Sequence, residues 1–200
     1  MFELLFSPFS YLKITWERGL TSKRFFDIGL PIILSLITVI LLILLRLNIE
    51  NGTNIFNNDI TYYLSGFFQT IPGFYIAGLA AIATLNSDNM DVYMTDPCPK
   101  LNGEKVKRRL FLAQLFSYLT IGSLILFILT LIGRFAASIN ILQGVSVFTY
   151  YFTYAIFSLI YFYFFWQIMV LTCLGLYYLG EKIHYNDPKD MDDREIVNDE

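Results

Sequence analysis

The chain has 200 residues, 56% hydrophobic and 18% aromatic, with a mean hydropathy of +0.54. Charged residues make up only 16%, against ~25% in an ordinary soluble domain. They fall in clusters separated by uncharged intervals of 18, 28, 24 and 46 residues, a pattern that excludes a soluble core with charges interleaved at helical or strand period.

Residues 1–27 are expected to form a cytoplasmic or interfacial N-terminal segment. MFELLFSPF has an early acid and no long apolar run, which argues against a cleavable signal peptide. Phe9, Leu12, Trp16 and Leu20 then recur at offsets of three, four and four, with Lys13, Glu17 and Arg18 off that line. This spacing predicts a short amphipathic helix in the membrane interface, with Trp16 at headgroup level. Anchoring and docking are both roles open to it.

Residues 28–180 are read as the four-helix transmembrane domain of an all-α integral membrane protein, because each uncharged interval can hold the ~20 apolar residues needed to cross a bilayer. The expected spans are 28–47, 60–85, 110–133 and 145–179, with a loop at 86–109. The last span exceeds the membrane at 1.5 Å per residue and is expected to tilt or project.

In the second span, Pro72 with Gly73 is a candidate hinge, since proline removes a backbone bond and crowds the preceding turn. Gly73, Ala77 and Ala81 fall at i, i+4 and i+8, and such a small-residue stripe lets another backbone approach closely. It suits a homo-oligomer or pore interface, or packing within one bundle.

The loop at 86–109 ends in KLNGEKVKRR, which holds five of the chain's fourteen Lys and Arg residues. Asn102 is expected to cap the third helix and Glu104 to pair with Arg108 at i, i+4. Lys105, Lys107, Arg108 and Arg109 then sit at inner-leaflet headgroups or contact a partner. Direct nucleic-acid binding is not expected, because this knot faces a membrane and lacks interleaved aromatics.

In the fourth span, twelve of the nineteen residues from Phe148 to Trp166 are aromatic, too deep a cluster for an interfacial belt alone. It is expected to pack against other spans or lipid. Residues 181–200 form an acidic cytoplasmic tail in which Asp190, Asp192, Asp193 and Glu195 are candidates for docking a protein. A solvated terminus is the plainer reading.

Twelve basic residues lie in the N-terminal segment, the 86–109 loop and the tail, against Arg46 and Arg134 in the other two loops. That asymmetry predicts a multi-pass protein with both termini cytoplasmic. Apart from Arg46 at the edge of the first, no Asp, Glu, Lys, Arg or His lies inside the expected spans, which weighs against an ion-coupled transporter. Gln69, Gln114 and Gln167 are the notable polar groups there, suited to joining helices or lining a narrow pore. HExxH, GxSxG, P-loop and CxxC patterns are absent, and the single histidine, His184, has no nearby second ligand. Neither an enzyme nor a metal or cofactor site is expected.

The four-span plan together with LNGEKVKRRLFLAQLFSYL, Leu101 to Leu119, resembles KwaA, the membrane subunit of the bacterial Kiwa anti-phage defence system. The resemblance implies an inner-membrane homo-oligomeric sensor, a tetramer, that holds a cytosolic DNA-binding partner of the KwaB kind. A non-enzymatic sensor or scaffold contacting membrane lipid and a cytosolic protein is therefore the expected function. A pore- or channel-forming effector is the alternative.

Overall fold

The computed structural model describes residues 7–16, 22–48, 56, 59–85, 90–94, 99–139 and 146–182. The candidate tail residues Asp190, Asp192, Asp193 and Glu195 lie outside them, as do Leu20 and His184. Four helices carry the fold: α1 (Leu30–Asn48), α2 (Asp59–Thr84), α3 (Arg108–Ser138) and α4 (Val147–Tyr177). All four are long and apolar enough to cross a membrane.

Local chemistry starts and supports these helices. Asp59 lies in the first turn of α2, where a negative charge favours the positive helix end. Ser146 caps α4 by accepting from the backbone N–H of Thr149 at 3.3 Å. Inside α1, Ser35 and Thr38 donate to the carbonyls of Ile32 and Leu34, so neither hydroxyl is stranded among apolar side chains.

The helices pack in the order α1-α4-α3-α2. Among the described residues, α3 packs chiefly on α2, α4 packs on both α3 and α1, and α4 is the only substantial helix neighbour of α1. The two inner helices supply much of the core, including Phe111, Leu112, Leu115, Leu119 and Leu126 from α3 and Ile168 and Leu171 from α4. Polar ties reinforce the row. Trp166 of α4 donates to Thr38 Oγ1 of α1 at 2.9 Å, Tyr161 of α4 and Thr130 of α3 share a 2.9 Å bond, and a 2.5 Å bond between Tyr75 and Thr172 ties α2 directly to α4.

Close approach within this row uses glycines other than the expected stripe. A Cβ on Gly78 of α2 would lie 2.8 Å from the Phe116 ring, and one on Gly175 of α4 would lie 3.2 Å from its other side. Phe116 of α3 is thus wedged between two glycines. A Cβ on Gly133 would similarly meet Phe56 at 2.9 Å. The aromatic cluster of α4 packs inward through Tyr154, Tyr161 and Phe162, all buried, with Phe56 set edge-on to Phe157 and Tyr161.

The helix ends and the basic end of the molecule differ from expectation. The first apolar stretch begins at Phe25, so it takes in Asp27, and helix α3 carries Arg108, Arg109 and Arg134 within its length. Ionisable groups therefore enter the candidate spans at their ends. Helix α2 runs unbroken through Pro72, which is buried. At the basic end, a small antiparallel sheet of order β1-β2-β3 joins Ile14–Thr15 to Lys100–Leu101 and Glu104–Lys105.

Candidate functional site

Asn102 and Gly103 have φ of 54° and 94°, both left-handed, and link β2 to β3. A two-residue connection with two positive φ values is the turn that matches strand twist, and Asn-Gly is its favoured sequence. This corrects the helix-cap reading. Asn102 sits at a hairpin tip, Glu104 is in a strand rather than a helical turn, and Lys107 precedes α3 without a side-chain cap. The hairpin exposes Lys100, Lys105 and Lys107.

The other two basic residues of the knot turn inward. Arg108 is buried at 6% exposure. Arg109 donates to the carbonyls of Ile82, Ala83 and Leu85 at 3.3, 3.4 and 3.0 Å, and to Asp91 Oδ2 at 2.9 Å. Those carbonyls lie at and just beyond the C-terminal end of α2, where the last carbonyls of a helix lack intrahelical partners, so the guanidinium clasps that terminus. The surface offered to headgroups or a partner therefore narrows from four expected residues to Lys105 and Lys107, joined by Lys100.

The N-terminal segment is a strap across this end. Ser7–Lys13 forms a 3₁₀ helix that packs on α3, and β1 follows at once. Tyr11, Ile14 and Trp16 are the buried residues, while Leu12 is 47% exposed, so the face differs from the expected Phe9, Leu12 and Trp16 line. Trp16 is buried and sits edge-on to Phe111, with ring centroids 5.8 Å apart. Tyr11 stacks on Tyr118 at 5.4 Å.

Beneath the strap lies a buried polar cluster. The chain enters α1 through a π-helical turn, Phe25–Gly29, a form of helix often found at functional sites. The Asp27 carboxylate pairs with the Lys23 ammonium through Oδ2 and accepts from the Tyr11 hydroxyl at 3.0 Å through Oδ1. The Asp27 carbonyl accepts from Gln167 Nε2 at 3.1 Å and from the Tyr163 hydroxyl at 3.4 Å. Tyr118 completes the chain by donating to Gln167 Oε1 at 3.1 Å. Burial pushes the Lys23 ammonium below its usual range, opposed by the Asp27 charge and hydrogen bond. Burial first, and Asp27 second, hold the Tyr11 phenol well above its usual value, so it stays a donor.

The sequence reading missed this cluster. Lys23 and Asp27 at i, i+4 beside the apolar run were a visible signal, but Tyr11 and Gln167 lie 16 and 140 residues from Asp27 and come to it only through folding.

A second surface lies on α2. Gly73, Ala77 and Ala81 are all exposed, and nothing lies within 4 Å of a Cβ built on Gly73. Gly66, Gln69, Thr70, Ala80 and Thr84 share that exposed helix face.

The fold and these surfaces define a predominantly helical protein with four helices of membrane-spanning length and apolarity, and a small β-sheet cap at one end. No protein-family model, curated protein or solved structure matches the chain.

Proposed function

We propose that the protein is a non-enzymatic membrane sensor or scaffold that self-associates through the α2 face and offers its basic cap to a cytosolic partner. The observation that carries this reading is the exposed Gly73, Ala77 and Ala81 face of α2, left outward while Gly78, Gly133 and Gly175 serve close packing inside the chain. In lipid, helices associate through such small-residue faces, and the Gln69 amide on the same face gains a partner when a second copy covers it. Both termini and the cap face the cytoplasm on this reading, following the asymmetry of basic residues. The strap serves as the interfacial N-terminal element. The resemblance to KwaA supports placing the protein in the inner membrane in anti-phage defence, as a tetramer holding a DNA-binding partner.

Native mass spectrometry from mild detergent tests self-association: the wild type runs as an oligomer, and Gly73→Leu or Ala77→Leu runs as a folded monomer. A monomeric wild type overturns the reading. Co-expression with the neighbouring gene tests recruitment, with a soluble partner expected to co-purify. Recovery of the membrane protein alone counts against that half. The exposed Gln69 also suits a pore lined by one glutamine per subunit. Ionic current through reconstituted bilayers, lost in Gly73→Leu, favours the pore, and silent bilayers holding folded oligomer exclude it.

A further inference from the structure

Asp27 joins three parts of the chain. It lies in the first turn of the apolar stretch that continues into α1, its carbonyl is held by Gln167 and Tyr163 of α4, and its carboxylate holds Tyr11 of the strap. The strap leads directly to the hairpin, because Ile14 pairs with Leu101 and Thr15 with Lys100. A continuous path therefore runs from the start of α1, through Asp27 and Tyr11, to the hairpin that displays Lys100 and Lys105.

At its other end this path meets the helix best placed to respond to lipid. Among the described residues, α1 is braced chiefly by α4 and exposes Ile32, Ile33, Leu36, Ile37, Ile40 and Leu41. Its 19 residues span about 28 Å, close to a hydrocarbon core of ~30 Å, whereas the 31 residues of α3 and of α4 span about 46 Å. A change in bilayer thickness is met by tilting or shifting a helix, and α1, at the edge of the row, has little protein contact to resist it.

We propose that Asp27, with Tyr11 and Gln167, forms a latch coupling the tilt or depth of α1 in the bilayer to the pairing of the strap with the basic hairpin. Its biological use rests on the sensor reading, whereas the mechanical coupling does not. The latch suits reversible opening. Releasing the strap returns Lys23 and Asp27 to water and restores hydration that burial removed, so the ion pair selects the closed geometry without locking it. The parts that separate are small, a 3₁₀ helix of seven residues and strands of two. Tyr11 on Tyr118 and Trp16 on Phe111 hold the closed state through apolar contact.

The test is hydrogen–deuterium exchange on the full chain in nanodiscs of dimyristoyl or dioleoyl phosphatidylcholine with phosphatidylglycerol. Peptides covering 7–16 and 99–106 report on strap and hairpin. In the wild type, exchange in both peptides is expected to differ about three-fold or more between the two bilayers. Tyr11→Phe keeps the ring and removes only the donor. In this variant both peptides are expected to exchange about ten-fold faster, with no dependence on thickness. Asp27→Asn is expected to match it, and Tyr11→Phe decides alone where Asp27→Asn does not fold. Wild-type exchange that is equal in both bilayers overturns the proposal, and so does thickness dependence retained in Tyr11→Phe. Self-association and partner recovery are separate measurements, so failure of the scaffold reading is distinguishable from failure of the latch.

Discussion

At the scale of single residues, the glycines divide by what a side chain would meet. Phe116 has Gly78 on one side and Gly175 on the other, so its ring cannot shift away from a new methyl group. Gly78→Ala is expected to destabilise the fold by about 1–3 kcal/mol, the usual cost of overpacking. Gly73→Ala, with no neighbour from its own chain within 4 Å, should be neutral or stabilising by up to about 1 kcal/mol through helix propensity. Thermal unfolding of both variants in detergent checks the contrast, and equal midpoints would refute the wedge. The small residues at Gly73, Ala77 and Ala81 were legible in the sequence, but their exposure was not. Spacing along a helix says which residues share a face and leaves open which neighbour, if any, that face meets.

At the scale of elements, the stretch KLNGEKVKRR resolves into a hairpin, a helix start and a clasp on another helix. Arg109 reaches two carbonyls of α2, the Leu85 carbonyl just beyond it and the Asp91 carboxylate at once. A lysine is a point charge that cannot reproduce that fork. Arg109→Lys is therefore expected to cost about 1 kcal/mol at this partly exposed site and to speed amide exchange in the last turn of α2. Unchanged exchange at Ile82 to Leu85 would show that the clasp contributes nothing to that helix end. The hairpin could have been read from Asn102-Gly103, the strongest short-range signal for such a turn. The basic run beside it pointed instead to a helix start. Both signals were real, and the chain satisfies them in succession rather than together.

At the scale of the whole molecule, the order α1-α4-α3-α2 leaves the outer pair apart. Thr38 of α1 meets Trp166 of α4, whereas Gly73 lies on the outward face of α2. A short thiol cross-linker is thus expected to join Thr38→Cys to Trp166→Cys within one chain, in a background lacking Cys98 and Cys173. It should not join Thr38→Cys to Gly73→Cys within one chain. Intramolecular cross-linking of the second pair would contradict this order. An intermolecular product would migrate as a dimer and bear on self-association instead.

Four apolar helices were determined by the sequence alone, because the hydrophobic requirement for crossing a bilayer acts on each segment independently and shows as long charge-free runs. The twelve-to-two distribution of basic residues is likewise written along the chain, whatever the packing. Tertiary structure decided which helices lie inside the row, which glycines meet a neighbour, and that Asp27 is a buried junction. Hydropathy treats Asp27 as a boundary marker, one charge at the edge of an apolar run. Only folding brings Tyr11 to its carboxylate and Gln167 to its backbone carbonyl, and Tyr11 with Lys23 allows the carboxylate to be buried rather than merely to end a span.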